Sequence, residues 1–539
     1  MNLDLLIKNK ISEALNKLGV EVSPDSIVVT PSKDKKFGDY ASNAALKNAG
    51  VLKMSPLEVA KKIIEVIDME NVDKIEIAGP GFMNFFMKSD SITSVISKII
   101  SEGSNYGNGD KKEGKINVEF VSANPTGDLH LGHARGAALG DSICRLLKKA
   151  GYDVTREYYI NDAGNQINNL AKSIDVRYQN LFGRDLELGD DMYHGEDIID
   201  IAQAIKDIKG DTLLDNEEAF NYFKTEGMRI ELDKIIKDLD MFRVSFDVFS
   251  YETKIRSNNA VEKEIKNLES HIYHDGDALV LKTTDYLDDK DRVIVKSNGD
   301  YTYFLPDIVY HLDKLSRGYT HLVDLLGADH HGYINRMKSA LMMHGYDKDV
   351  LEIELIQMVR IFLDGKEMKL SKRTGKTITL RELCEEVGID AVRYFFVARS
   401  ADSHLDFNIN LAREQSSSNP VYYAQYAHAR LFSVLKNEKQ FGIDESGSLL
   451  KEEKELSLLK ILLEYSNVVD SAANSKQPCV LTNYIQKLAA AIHSFYTECR
   501  VIDQSNVELT KNRLALCKAA MIVMKDALNL IGVSAPEEM

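Results

Sequence analysis

The chain has 539 residues, which at about 150 residues per domain makes three or four domains. Hydrophobic residues make up 44% and charged residues 28%, a balance that excludes a disordered tail and a membrane protein. Acidic side chains outnumber basic ones, 83 to 67, for a net charge of −16, and on whole-chain charge alone a nucleic-acid binder is not expected.

Trp is absent and Pro occurs only 9 times, which fits a compact, helix-rich enzyme. Cys144, Cys384, Cys479, Cys499 and Cys517 form no C-x-x-C pair and are odd in number, so neither a disulfide framework nor a cysteine-based zinc site is expected. The N-terminus reads as an amphipathic helix whose apolar stretch is too short for a signal peptide. No run of about 18 apolar residues exists. The expected compartment is the cytoplasm.

In chain order, residues 1–104 read as a small α/β domain. Helical periodicity covers 3–18 and 57–67, and strands are expected at 27–30 and 84–87. Residues 101–115, rich in Gly, Ser, Asn and charge, predict a linker. Ile116, Val118 and Phe120 then alternate with Asn117 and Glu119, as in a strand. Asn-Pro-Thr-Gly breaks it, a helix runs from about Leu131 to Gly151, and a second strand covers 153–160. Strand, helix and strand in so short a stretch predict a βαβ unit of a doubly wound, Rossmann-like parallel sheet. Residues 183–261 are acidic and helical, as expected of an insertion. The strand pattern returns at 321–332 and 353–365, giving the second half of the sheet. Residues 416–539 are helical almost throughout, with a polar loop at 438–454. The expected division is therefore 1–104, 105–415 and 416–539.

His130, Leu131, Gly132 and His133 stand directly after a strand and at the start of a helix. Two imidazoles three apart share a helical face, and a helix N-terminus offers free N–H groups and positive potential to phosphate. Gly132 leaves room for a flat group such as a nucleobase. A metal-binding pair and two capping histidines are the alternatives, and the strand–loop–helix context favours phosphate. Between Lys366 and Arg381 stand six basic residues (Lys366, Lys369, Lys372, Arg373, Lys376, Arg381) and one acidic, Glu367. A basic loop beside a phosphate site can neutralise charge developing on a pyrophosphate leaving group. A charge run alone is more often a solvated surface. Its pairing with the histidines reverses that preference.

HLGH (130–133) and KLSKR (369–373) resemble the two signatures of class I aminoacyl-tRNA synthetases. FVSANPTGDLHLGHARGAALGD (120–141), EYYINDAGNQI (157–167), GADHHGY (327–333), NPVYYAQYAHARL (419–431), LIGVSAP (530–536), FGDYASNAA (37–45) and GPGFMNF (79–85) narrow the resemblance to arginyl-tRNA synthetases, essentially end to end. Leu370 and Arg373 depart from the family's usual Met and Ser, and both keep the character of the loop.

The resemblance implies activation of L-arginine by ATP, delivered with Mg2+, and transfer of the arginyl group to arginine tRNA. It implies His130, His133, Lys369, Ser371 and Lys372 as catalytic residues. It assigns ATP to Asn124, Pro125, Thr126, Gly132, His130, His133 and Lys372. It assigns arginine to Glu119, Ser122, Asn124, Tyr303, Asp307 and His331. Carboxylates suit a guanidinium, which carries only donors. Read without the family, Asp307 could simply favour a helix N-terminus and Tyr303 could be core. Asp329, His330 and His331 could bind a metal, but the family places them beside the substrates, and no tightly bound metal is expected. Asp162 reads as a helix cap. The helical C-terminal part resembles an anticodon-binding bundle, and the N-terminal part a module that touches tRNA. Lys33, Asn84, Phe85, Tyr422, Gln425, Tyr426 and Arg430 are the candidate RNA contacts, although aromatics at helical spacing are mostly core. A monomer is expected.

Overall fold

The computed structural model describes residues 3–32, 34–369 and 377–539. Its N-terminal part is an antiparallel sheet of β1 (Val29–Pro31), β2 (Tyr40–Ser42), β3 (Val72–Ala78) and β4 (Phe82–Met87), in the order β1-β2-β4-β3. The helix Leu3–Lys17 buries Leu3, Ile7, Ile11 and Leu15, one side chain per turn. The helix Pro56–Val66 begins on a capping box between Ser55 and Glu58 with Pro at its first turn.

The expected linker at 101–115 is packed rather than free. Tyr106 is buried and its hydroxyl donates to the Leu462 carbonyl at 3.0 Å. Gly107 has φ +84°, and a Cβ there would lie 2.9 Å from the Tyr465 ring. The glycine serves close approach to the helix Glu453–Asn474.

The central sheet contains β5 (Lys115–Glu119), β6 (Asp153–Ile160) and β7 (Val248–Tyr251). After an antiparallel meander of β8 (Ile272–Asp275), β9 (Ala278–Leu281) and β10 (Arg292–Val295) come β11 (His321–Gly327) and β12 (Leu351–Ile356). The order β12-β11-β5-β6-β7 is parallel throughout. The chain adds strands to one side of β5, then returns to the other. Three expectations need correction. β7 lies inside the stretch read as insertion, and at four residues it is too short to show alternation. The meander β8–β10 was not expected. The single strand read at 353–365 is two: β12 stays in the parallel sheet, while β13 (Val359–Leu363) leaves it to pair with β14 (Lys366–Met368) and β15 (Leu405–Asn408).

One face of the sheet receives the helix Leu131–Lys149, where a Cβ on Gly140 would sit 2.2 Å from the Phe120 ring. The other receives Phe304–Ser316, whose Leu305 and Ile308 share a core with Leu322 and Leu351. The helices Pro420–Leu435, Glu453–Asn474, Pro478–Glu498 and Val507–Leu530 build the C-terminal bundle.

Arg393, fully buried, joins these parts. It donates to Asp141 Oδ2 (2.5 Å), the Phe242 carbonyl (2.8 Å) and the Ile531 carbonyl (3.0 Å). Asp141 also accepts from Arg145 at 2.8 Å. Removing one partner of a buried ion pair strands the other charge. Arg393→Met is expected to cost about 3 kcal/mol, the low end of such losses because Arg145 remains. A lowered denaturant midpoint measures it; an unchanged midpoint would contradict the account.

Candidate active site

Ligands of doubly wound sheets bind beyond the carboxyl ends of the strands where the order reverses. Here that point lies between β5 and β11. β5 ends at Glu119, and the chain turns sharply: Val121 has φ 69° and Ser122 φ 39°. A β-branched residue in this region is strained, by about 1–3 kcal/mol. Local bonds hold it. The Ser122 hydroxyl donates to Glu119 Oε1 (2.9 Å) and accepts the Tyr159 N–H (3.1 Å), while Tyr158 donates to the Ala123 carbonyl (2.8 Å). Thr126 N–H then donates to the Asn124 carbonyl at 2.8 Å across the buried Pro125.

His130 caps the helix Leu131–Lys149, its Nδ1 accepting the Gly132 N–H at 3.1 Å. That bond places the proton of the neutral ring on Nε2, the nitrogen left free to donate to a ligand. The His133 ring stacks on His130 with centroids 3.6 Å apart. Burial lowers the pKa of both imidazoles, and proximity to His130 helps take His133 down to about 4. Both are neutral at pH 7. The atoms nearest a Cβ added at Gly132 belong to His130, at 3.0 Å, so the glycine makes room for that ring.

The segment that follows the basic run meets the start of the HLGH motif through backbone. Leu380 N–H donates to the Leu129 carbonyl at 2.8 Å, and Thr379 bridges His130. Lys369 is exposed just after β14. Ser371 and Lys372 lie outside the described residues, as do Leu370, Arg373 and Lys376. Arg381, counted above among the loop's cations, is paired: its Nε donates to Asp238 at 2.9 Å. Asp238 sits on the helix Ala219–Met241, which also carries Lys234, 2.7 Å from Asp128.

An open cleft of about 780 Å³ adjoins β5 and includes Asn124, Gln166, Glu252 and Tyr303 in its walls. Asn124 donates to Gln166 at 2.6 Å. Tyr303 is 83% exposed, so it is not core. Asp307, in the first turn of Phe304–Ser316, accepts from the Tyr333 hydroxyl at 3.1 Å. Burial, reinforced by the nearby Glu119 and Glu252 carboxylates and opposed by His311 and Tyr333, raises its pKa to about 7. Glu119 is 8% exposed and Glu252 is 6% exposed. Glu119 and Glu252 thus lie within electrostatic reach of Asp307, a grouping that suits a cation, and Glu252 shares the cleft wall with Arg256, which donates to it at 2.8 Å. His331 is exposed at the end of the turn Ala328–His330 that follows β11. Among the described residues no three His, Cys, Asp or Glu side chains are grouped to hold a metal. Asp162 does not cap the following helix; it accepts from Thr253 N–H at 2.9 Å.

Gln166, Glu252, Tyr333, His311 and Lys314 were missed from sequence. The spacing of Asp307, His311 and Lys314 places all three on one helical face, and that was the available signal.

Of the candidate RNA contacts, Phe85 is fully buried and Asn84 nearly so, both in β4. The Phe85 side chain belongs to the N-terminal core, which corrects the expectation that it faces RNA, while Asn84, next to it on the strand, points to the other face of the sheet and is little exposed. Lys33 lies outside the described residues. Gln425 is tied inward, donating to Asp390 at 2.9 Å and the Ser534 carbonyl at 3.0 Å. Tyr422 and Tyr426 stack at 6.0 Å with 9° between planes. His493 extends the stack, and the Arg430 guanidinium lies 4.9 Å above the Tyr426 ring.

The family model for the class I (R) tRNA synthetase catalytic domain matches residues 95–430. The arginyl tRNA synthetase N-terminal domain matches 5–87, and the DALR anticodon binding domain matches 424–539. The arginine–tRNA ligase of Anoxybacillus flavithermus is 49% identical, over 99% of this chain and 98% of its own length. That of Bacillus subtilis is 48% identical with the same coverage. The arginyl-tRNA synthetase structure of Thermus thermophilus shares the fold at TM-score 0.76 and 22% identity, covering 99% of each chain. With a catalytic-domain match over more than half its length and near-full-length relatives at almost half identity, the chain belongs to the arginyl-tRNA synthetase family, class I.

Proposed function

We propose that the protein is an arginine–tRNA ligase acting in the cytoplasm as a monomer. A carboxylate oxygen of L-arginine attacks the α-phosphorus of ATP, supplied as its Mg2+ complex, and the bond to pyrophosphate breaks. A hydroxyl of the 3′-terminal adenosine of arginine tRNA then attacks the arginyl carbonyl carbon. AMP leaves and the hydroxyl proton is released. The observation that carries this reading is the placement of two neutral imidazoles at a helix N-terminus, at the end of the loop that leads from β5 and the buried Glu119.

In this reading the free Nε2–H of His130, with His133, donates to the α-phosphate as its charge grows. Asn124, Pro125, Thr126 and Gly132 form the floor for ATP. Lys372, with Lys369 and Ser371, neutralises the departing pyrophosphate. Glu119 and Asp307 grip the guanidinium, Ser122 holds Glu119, and Asn124 takes the α-amino group. Tyr303 and His331 flank the substrate. Residues 1–104 and 416–539 are the RNA-binding units around the catalytic part, 105–415. The stack of Tyr422, Tyr426 and His493, with Arg430 above it, offers a platform for an unpaired base.

ATP–pyrophosphate exchange is expected with arginine, only when arginine tRNA is present, and not with lysine. Lys372→Ala should bind tRNA yet lose most aminoacylation; charging at the parent rate would refute its role. Asp307 must be ionised to hold arginine, and its pKa near 7 means that binding displaces a proton as pH falls. Arginine affinity should therefore weaken about tenfold per unit below pH 7 and level off above it. Asp307→Asn should flatten this profile, and titration calorimetry across pH 5.5 to 8.5 reads it. Tyr426→Ala should weaken tRNA binding by about 1–3 kcal/mol, the value of one stacked base, without changing the KM for arginine; equal tRNA binding would remove the platform.

A further inference from the structure

The buried bases on the helix Phe304–Ser316 take no part in the steps above. Lys314 has no exposed surface, and an ammonium so enclosed is costly unless closely paired. It donates to Glu119 Oε2 at 2.6 Å and to Asp324 Oδ1 at 2.9 Å. The second Asp324 oxygen accepts from His311 Nε2 at 2.7 Å, and His311 Nδ1 donates to the Asp307 main-chain carbonyl at 2.7 Å. Both ring nitrogens of His311 face acceptors, so the ring is an imidazolium. Burial alone would lower its pKa, but Asp324 raises it above the ordinary value. Asp324 in turn is held well below the usual carboxylate range by Lys314 and His311, against its burial.

The chain of contacts from Glu119 through Lys314, Asp324 and His311 to the Asp307 backbone has no gap. Asp324 and Glu119 are register partners on β11 and β5, so the strands fix one side of it and a single helix fixes the other. Its two ends are the two residues that the arginine-site reading assigns to the guanidinium. An ion pair serving stability alone has no reason to terminate at both. With Ser122 on the other oxygen of Glu119, that carboxylate is gripped from both sides.

We propose that Lys314, Asp324 and His311 are positioning residues, a buried relay that sets the Glu119 carboxylate and the helical turn carrying Asp307 at the spacing a guanidinium requires. The inference rests on the arginine-site reading and adds a coupling between its two halves. Misplacing a binding group by about 1 Å can cost about 100-fold.

The test is steady-state ATP–pyrophosphate exchange by the full chain with tRNA bound, varying arginine and ATP separately. Lys314→Met is expected to raise the KM for arginine by about 100-fold, to leave the KM for ATP unchanged, and to narrow discrimination against citrulline. Lys314→Arg should restore part of the arginine KM. In a Glu119→Gln background Lys314→Met should add little, because the two act as one unit. An unchanged arginine KM in folded Lys314→Met, or a rise shared equally by ATP, overturns the relay. If Lys314→Met shows no cooperative unfolding transition, the isosteric Asp324→Asn carries the same test with the same outcomes. If Glu119→Gln itself leaves the arginine KM unchanged, the arginine-site reading is what fails. If Glu119→Gln raises it and the Lys314 or Asp324 variant does not, only the relay fails.

Discussion

Three carboxylates lie in register across the middle of the central sheet. Glu157 on β6 pairs with Glu119 on β5, which pairs with Asp324 on β11. In-register residues of parallel strands share a face, so these acids form a row beneath the helix Phe304–Ser316. Such a row is untenable in a protein interior unless matched charge for charge. The match comes from Lys314 and His311 on that helix and Arg317 just after it, with Tyr310, Ser250 and Asn117 completing Glu157. The helix consequently cannot rotate or slide without leaving buried charge unpaired. Sheet register and helix position are set by the same ions, and Asp307 inherits its place from them.

The opposite side of the site is organised by the acidic segment between β6 and β7. The helix Ala219–Met241 reaches both signature segments, through Lys234 to Asp128 and through Asp238 to Arg381. The first ion pair is half exposed and contributes little energy. The second has a buried acid, and it neutralises a cation that the charge count had credited to the loop. The overall negative charge is therefore partly local. Asp238 is placed against Arg381, and the aromatic stack on the C-terminal bundle carries its own guanidinium, that of Arg430.

Much of this was legible in the sequence, for identifiable reasons. Period-two and helical patterns found β5, the helix after it and β6, because each is long enough to express its period. β7 has four residues and carried no period. β12 and β13 ran together because no Gly or Pro separates them, only Gln357 and Met358. The glycines at 103–109 read as a linker because composition does not distinguish a glycine that frees the chain from one that admits a neighbouring ring. The HLGH motif carried its own context, so its place at a strand–helix junction followed. Asn84 and Phe85 belong to a motif that resembles the family, but motif membership does not say which side of a strand a residue faces. Lys314 and His311 were overlooked because helical spacing alone names no partner: Asp324 follows within 13 residues on β11, but Glu119 lies 195 residues before Lys314, and only the pairing of β5 with β11 brings it to the same lysine.

The backbone bridge between the HLGH motif and the segment after the basic run has a consequence for how the protein comes into being. Leu129 and His130 meet Thr379 and Leu380, segments almost half the chain apart. Closing so large a loop is entropically unfavourable and slow relative to local contacts. During synthesis the histidine segment leaves the ribosome long before its partner exists. The first βαβ unit can form early, but this bridge cannot form until the second half of the sheet has docked. A truncated or partly folded chain therefore holds the histidine segment without the Thr379–Leu380 segment that bonds to it.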